Sequence, residues 1–379
     1  MANKLVYGIK DKPRFSQLIV FAFQQLLAIM AATIAVPVLV GNGMSISAAL
    51  FGAGVGTIVY QLFTKFRSPV FLGSSFAFIP SMSAAFAGAV SMSCGYLGLL
   101  VGALLAGLVY VIIAAVVKFV GVNWINKLMP AAVIGPTVAL IGLSLASSAI
   151  KDVFSYGPQN DRGAFIMSGS LWVSLVCALV TLLVVILCST YGSKRVKLIP
   201  FIFGVLSGYA TALIFTGIGY AADVDALKII DFAPFTSLVS DGVSLKTFVA
   251  VPEFTFIEGF KGVKDFDLSY LASIAVAYVP VAFVVFAEHI ADHKNLSSII
   301  DANLLEDPGL HRTLLGDGVG SFFGAFFGGC PNTTYGESVG CVAITRNASV
   351  ATITTTAIFA ILISFVSPLS RSLILFPVV

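Results

Sequence analysis

The chain has 379 residues, 58% of them hydrophobic and only 10% charged, with a mean hydropathy of +1.01. Soluble domains carry about a quarter charged residues, so a soluble globular enzyme is excluded. The 21 Lys and Arg against 18 Asp and Glu leave a net charge of +3, held in short clusters between long apolar runs; a basic face for nucleic acid is absent, and nucleic acid is not an expected partner.

A helix that crosses a bilayer needs about 20 apolar residues. Runs of that kind predict spans at 15–40, 46–64, 68–90, 95–117, 128–150, 168–189, 196–220, 269–290, 313–329, 332–345 and 350–375. The expected fold class is an all-α polytopic membrane protein. Met1 to Arg14 is polar and basic and leads into an apolar stretch too long for a cleavable signal core. With the N-terminus in the cytoplasm, Lys4, Lys10, Lys12, Arg14, Lys65, Arg67, Lys118, Lys127, Lys194, Arg195 and Lys197 fall inside, and only Lys151 and Arg162 fall outside. That asymmetry satisfies the positive-inside rule. Residues 221–268 then lie outside, with eight acids against four lysines, and 291–312 returns to the cytoplasm as an interfacial connector. Cys94, Cys177, Cys188, Cys330 and Cys341 stand singly, without a CxxC pair, and read as small buried hydrophobes.

Two spans are poor helices. Residues 67–81 read RSPVFLGSSFAFIPS and residues 328–346 read GGCPNTTYGESVGCVAITR. Unwound backbone at membrane depth survives only where it is buried or lines a polar cavity, because an unpaired amide in hydrocarbon costs several kcal/mol. The two segments are therefore expected to face each other. A pair of Gly/Pro-interrupted spans, one early and one late, is the pattern of a substrate site in an inverted-repeat transporter. Close helix packing through small residues explains the glycines but not Pro69, Pro80 or Pro331 with Asn332. With seven spans in each repeat, 1–220 is the first repeat, 221–268 an external loop, and 269–379 a second repeat that is incomplete (spans 8–11).

Among the acids, Glu288 at the end of YVPVAFVVFAEHIADH and Glu337 in NTTYGESVG cannot be assigned to loops. A carboxylate inside a membrane marks a substrate or proton path by default, and two of them could couple a neutral solute to protons. The competing structural reading is a Glu that plugs unwound backbone. Asp292 lies one turn after Glu288 on the same helix face; it could relay protons to Glu288 or be a solvated residue at the helix end. His289 and His293 lack further ligands and the HExxH order, so neither a metal nor another cofactor is expected. Asp317 opens the ninth span and reads as an interfacial cap. The glycines around it, from Gly316 to Gly329, read as a close-packing face.

These residues resemble the nucleobase/ascorbate transporter family, also called nucleobase cation symporter-2, and within it the bacterial uracil-permease branch. The resemblance runs from Phe15 to the end of the chain. It rests on QQLLAIMAATIAVPVLV, FLGSSFAFIP, FAEHIADHKNLSSI with the following DPGLHRTLLGDGVG, and above all PNTTYGESVGCVAITR. The resemblance implies fourteen spans in two inverted repeats of seven, with a core domain from the first four spans of each repeat and a gate domain from the rest. Short β-strands in the two broken spans would cross at mid-membrane. It makes Glu288 and Glu337 the glutamates that hold the base, adds the backbone amides of Phe76 and Gly336 with Tyr335 beside them, and assigns proton coupling to Glu288 and Asp292. Uracil offers two N–H donors and two carbonyl acceptors, which carboxylates and free amides match. The implied function is proton-coupled uptake of uracil across a bacterial inner membrane by a secondary transporter that is not an enzyme. A homodimer through gate spans is implied as well.

Three departures from the family pattern stand out. Ser338 replaces the usual Asn after Glu337. Asp292 and Gln25 occupy positions where family members can carry histidine. The chain ends at LILFPVV, about where a twelfth span should begin, so three gate spans are expected to be missing. Xanthine, another purine or ascorbate remains an alternative substrate, and an anion exchanger or channel of related fold is the alternative from another class. An anion site calls for a cation, and the broken spans offer Glu288 and Glu337 instead.

Overall fold

The computed structural model describes residues 5–128, 166–193, 200–230 and 245–366, with scattered positions between these stretches. The expected fifth span at 128–150, the end of the eleventh, and Lys4, Lys151, Arg162, Lys194, Arg195 and Lys197 lie outside the described residues. The chain forms two compact units. One takes in Met1–Ile141 and Val251–Phe365, the other Gly142–Ala250 and Val366–Val379. The first unit thus draws on both halves of the sequence.

In the first unit, α1 (Phe15–Val40) and α2 (Ile46–Phe63) are long apolar helices. The Ser45 hydroxyl starts α2 by accepting from the Ala48 N–H at 3.3 Å. Strand β1 (Leu72–Ser74), a 3-10 turn (Phe76–Phe78) and α3 (Ile79–Gly88) make up the first broken span. Then follow α4 (Met92–Val120), begun by Ser91 as N-cap, and the short α5 (Asn123–Leu128). The second unit holds α6 (Gly169–Tyr191), capped by Ser168, and α7 (Pro200–Ala222), which pack on each other.

The chain re-enters the first unit through α8 (Thr255–Lys261), which lies on α4. Asp267 caps α9 (Leu268–Ile300), accepting from the Tyr270 N–H at 2.6 Å. Next come α10 (Leu310–Gly328), strand β2 (Asn332–Thr334), α11 (Gly336–Thr345) and α12 (Val350–Ile363). Among the described residues six helices are long and apolar enough to cross a membrane, namely α1, α2, α4, α6, residues 202–222 of α7, and α9.

One boundary departs clearly from the expected one. The span expected to end at 290 runs on to Ile300, so the connector begins ten residues later than the charge pattern suggested. The reason is packing: Leu296 and Ile300 are buried with Tyr60, Val70, Leu72 and Val339 in one cluster. The broken span at 332–345 opens with the three-residue strand β2 and continues as the ten-residue α11. Its Pro331 lacks the N–H that a continuous helix would need.

Glycine sets how closely α10 approaches its neighbours. A Cβ on Gly56 would meet the Gly320 carbonyl oxygen at 2.7 Å, and one on Gly107 would meet the Gly318 oxygen at 2.8 Å. Such backbone-on-backbone contact is the small-residue packing that membranes favour, since no hydrophobic force drives apolar helices together in lipid.

Candidate functional site

The two strands meet as an antiparallel pair, Leu72 opposite Thr334, Gly73 opposite Thr333 and Ser74 opposite Asn332. All six residues are buried. A three-residue strand leaves most of its polar groups open, and the surrounding chain closes them. The Leu72 N–H donates to the Thr57 hydroxyl of α2 at 2.9 Å, Ser75 N–H to the Pro331 carbonyl at 2.9 Å, and Tyr335 N–H to the Phe71 carbonyl at 3.3 Å. The Tyr335 hydroxyl donates to the Ser74 carbonyl at 2.7 Å, and its ring lies over Gly73, where any Cβ would strike it. Gly73 is therefore the residue that lets the segments cross.

Immediately after each strand a helix begins. The turn at Phe76–Phe78 leads into α3, and Gly336 opens α11. The first N–H groups of a helix have no partner within it. Their usual relief, a side-chain cap, is missing at both places, because Ser75 and Tyr335 make no side-chain cap hydrogen bond. The helical stretches that begin at Phe76 and Gly336 thus start beside the crossing without a side-chain cap, each near the positive end of a helix.

The carboxylates come from α9 and α11. Helix α9 packs against β2, the turn at Phe76–Phe78 and α11. Glu288 and Glu337 are half-buried, and Gly336 is exposed within this region. Neither glutamate is consumed by an ion pair among the described residues. Asp292, one turn beyond Glu288, is 9% exposed and accepts a hydrogen bond from the Thr334 hydroxyl at 2.8 Å. It is buried in the helix, not solvated at its end, because α9 continues past it. A Cβ added to Gly336 would sit 3.7 Å from Asp292 Oδ1, so α9 and the start of α11 adjoin. The six residues singled out by resemblance, Phe76, Glu288, Asp292, Tyr335, Gly336 and Glu337, all belong to the crossing or to the helices that flank it.

Ser338 is buried behind Glu337. Its hydroxyl oxygen receives Gln25 Nε2 from α1 at 2.5 Å and the Phe71 N–H at 3.1 Å. Gln25 and Ser338, two of the residues that depart from the family pattern, are therefore partners of one another.

A second polar group was not foreseen. Asp317 was expected to cap a helix at the interface, yet it lies inside α10, 1% exposed, with Oδ2 at 2.7 Å from His289 Nδ1. His289 Nε2 is 3.0 Å from the Thr313 hydroxyl. His293 has Nδ1 at 2.9 Å from the His289 carbonyl, which makes Nδ1 the donor, and its Nε2 lies 2.8 Å from the Tyr60 hydroxyl, which also bonds Ser68 Oγ at 2.7 Å. These links pin α9 to α10 and α2. The pairing at i and i+4 of both His289/His293 and Glu288/Asp292 was a signal that α9 carries two adjacent polar faces. The partners across space had no local signal.

The model of the Permease family designated Xan_ur_permease matches residues 16–378. The uracil permease of Bacillus subtilis (strain 168) is 36% identical over 368 residues, covering 97% of this chain and 76% of its own length. The uracil permease of Escherichia coli (strain K12) is 32% identical over 370 residues, covering 98% and 76%. Among solved structures, the transmembrane domain of the cyanobacterial bicarbonate transporter BicA superposes with a TM-score of 0.60 at 13% identity, over 97% of this chain and 88% of that one. The murine Slc26a9 anion transporter gives 0.56 at 12% identity, over 97% and 60%. At such identity the structural likeness concerns the fold alone.

Proposed function

From the membership of this chain in the permease family, whose model spans nearly all of it, we propose that it carries uracil across a membrane as a multi-pass transporter. The observation that carries this reading is the crossing of β1 and β2. It sets two uncapped helix starts beside Glu288 and Glu337. The amides of Phe76 and Gly336 would donate to the carbonyls of the base, the carboxylates of Glu288 and Glu337 would accept its two N–H groups, and Tyr335 would hold the crossing against it. Likeness to uracil permeases from several bacteria supports the substrate.

The finer reading is a proton symporter of the bacterial inner membrane with a cytoplasmic N-terminus. Glu288 carries the proton, and Asp292, held by Thr334, exchanges it. The chain would be built from inverted seven-span repeats, with 1–220 the first, 221–268 external and 269–379 the second. It would work as a homodimer in which the unit of Met1–Ile141 and Val251–Phe365 acts as core. An anion carrier is disfavoured by the acids at the site, although the solved structures of like fold are of a bicarbonate and an anion transporter.

The deciding experiment is radiolabelled uracil uptake into proteoliposomes, with and without an inward proton gradient and with xanthine as competitor. Gradient-driven accumulation that xanthine leaves intact is expected and should vanish in Glu288→Gln. Accumulation unchanged by that substitution would remove the coupling role, and full competition by xanthine would transfer the site to purines.

A further inference from the structure

The polar stretch before α1 looks like a simple entry segment, but residues 5–11 are stitched to the chain between α11 and α12. Val6 N–H and Tyr7 N–H both donate to the Arg346 carbonyl, at 2.9 and 3.3 Å. In return Ala348 N–H donates to the Tyr7 carbonyl at 2.9 Å and Val350 N–H to the Ile9 carbonyl at 3.1 Å. The Ser349 hydroxyl adds a bond to the Asp11 carbonyl at 2.6 Å, and Tyr7 lies in a parallel bridge with Asn347. A helix end leaves carbonyls unmet and a helix start leaves amides unmet. The segment supplies both kinds of partner at once, donors at the end of α11 and acceptors at the start of α12.

Side chains add to the backbone ties. Leu5 and Ile9 pack against the buried cluster that holds Val339 and Val342 of α11, Leu72 of β1 and Tyr60 of α2. Arg346 has φ +54, a left-handed conformation uncommon outside glycine, and its carbonyl is the one that takes both donors. Helix α11 is ten residues long, about 15 Å. What anchors its far end therefore fixes where Gly336 and Glu337 stand at the near end.

We propose that Leu5–Asp11 is a latch that positions α11, and through it Glu337 and Gly336, for binding of the nucleobase. This rests on the reading of the crossing as the substrate site. The latch touches no substrate; its effect is on affinity. Release of residues 5–11 would let α11 and the turn to α12 shift together and widen the site.

The test uses the full chain in proteoliposomes and in detergent. Val6→Pro removes a single donor at an exposed side chain, and Ile9→Ser removes the apolar anchor while Ile9→Val restores it. Uracil uptake kinetics, uracil affinity by calorimetry and the thermal midpoint of the ligand-free protein are measured together. The latch predicts that Val6→Pro and Ile9→Ser raise KM and weaken affinity by about tenfold, with maximal rate nearly unchanged and Ile9→Val close to the parent. Unaltered uracil affinity with a lowered midpoint would overturn it, leaving the segment a stabilising strap only. If Ile9→Ser is not recovered folded, Val6→Pro and Ser349→Ala decide by the same readings. Glu337→Ala is run in parallel. Loss of binding there with parental affinity in the latch variants defeats the latch alone, whereas retained binding in Glu337→Ala defeats the site reading and the latch with it.

Discussion

The two broken spans use the same device and differ in what they bring to it. Each is a buried three-residue strand followed by a helix with an uncapped start. The first offers only backbone amides at that start, since Phe76 and Ala77 carry no polar side chain. The second offers amides together with Glu337 in the first turn of α11. The first is tied to α9, with the Ser81 hydroxyl donating to the Ala277 carbonyl at 2.7 Å, while the second is tied at its far end by the N-terminal segment. The crossing thus has one side with backbone amides alone and another with amides beside a carboxylate.

The largest effect should come from removing what is unique to the second half. Glu337→Ala should weaken uracil binding by about a hundredfold, the range expected when a hydrogen bond to a charged group is lost and its partners are stranded; calorimetric titration measures it, and parental affinity would place the base elsewhere. Next comes a matched pair of glycines. Gly73→Ala should drive a methyl into the Tyr335 ring and lower stability by about 1–3 kcal/mol, as overpacking does. Gly336→Ala meets only Asp292 Oδ1, at 3.7 Å, and should leave the thermal midpoint in place while impairing uracil binding. Equal effects of the two on stability would erase the distinction between a crossing glycine and a site glycine.

Smaller effects probe single bonds. Tyr335→Phe removes the donor to the Ser74 carbonyl and should cost about 1 kcal/mol in thermal or chemical unfolding. Away from both halves, Glu258 on α8 is bonded to Lys261 Nζ at 2.6 Å and to the Ser93 hydroxyl at 2.6 Å. The Lys261 ammonium, then the Ser93 bond, hold its carboxyl below the usual carboxylate range. A carboxyl lowered on folding stabilises above its unfolded value, and that contribution fades as pH falls through the folded one. Glu258→Gln should cost no more than about 1 kcal/mol near neutral pH, as exposed pairs do, and the difference from the parent should disappear in acid melts.

Much of the site was legible along the chain because lipid is an unforgiving solvent. Pro69 and Pro331 lead into the two strands and Pro80 stands in the first turn of α3, whereas Pro37 and Pro280 are carried inside α1 and α9; it is proline together with Gly, Ser and Thr that marks the breaks, and an acid such as Glu288 or Glu337 at membrane depth needs a reason to be there. Composition therefore pointed to where backbone is broken and where charge is buried. Asp317 shows the opposite case. Beside a helix start and among glycines it looks like a cap, and only the approach of α9 turns it into the partner of His289. The end of α9 was misplaced for a similar reason, since charges at 292–294 suggest an exit from the membrane while Leu296 and Ile300 are covered by residues from distant segments.

What the sequence by itself determined was the solvent, the run of apolar helices and the two interruptions, because each follows from the transfer cost of short stretches of chain. The tertiary structure decided the rest. The register of β1 on β2, the tie between Gln25 and Ser338 across 313 positions, the burial of Asp292 and Asp317, and the clasp of residues 5–11 on 346–350 are pairings of remote groups. Each exists only because an unmet amide, carbonyl or carboxylate in a low-dielectric interior must find a partner wherever the fold brings one within reach.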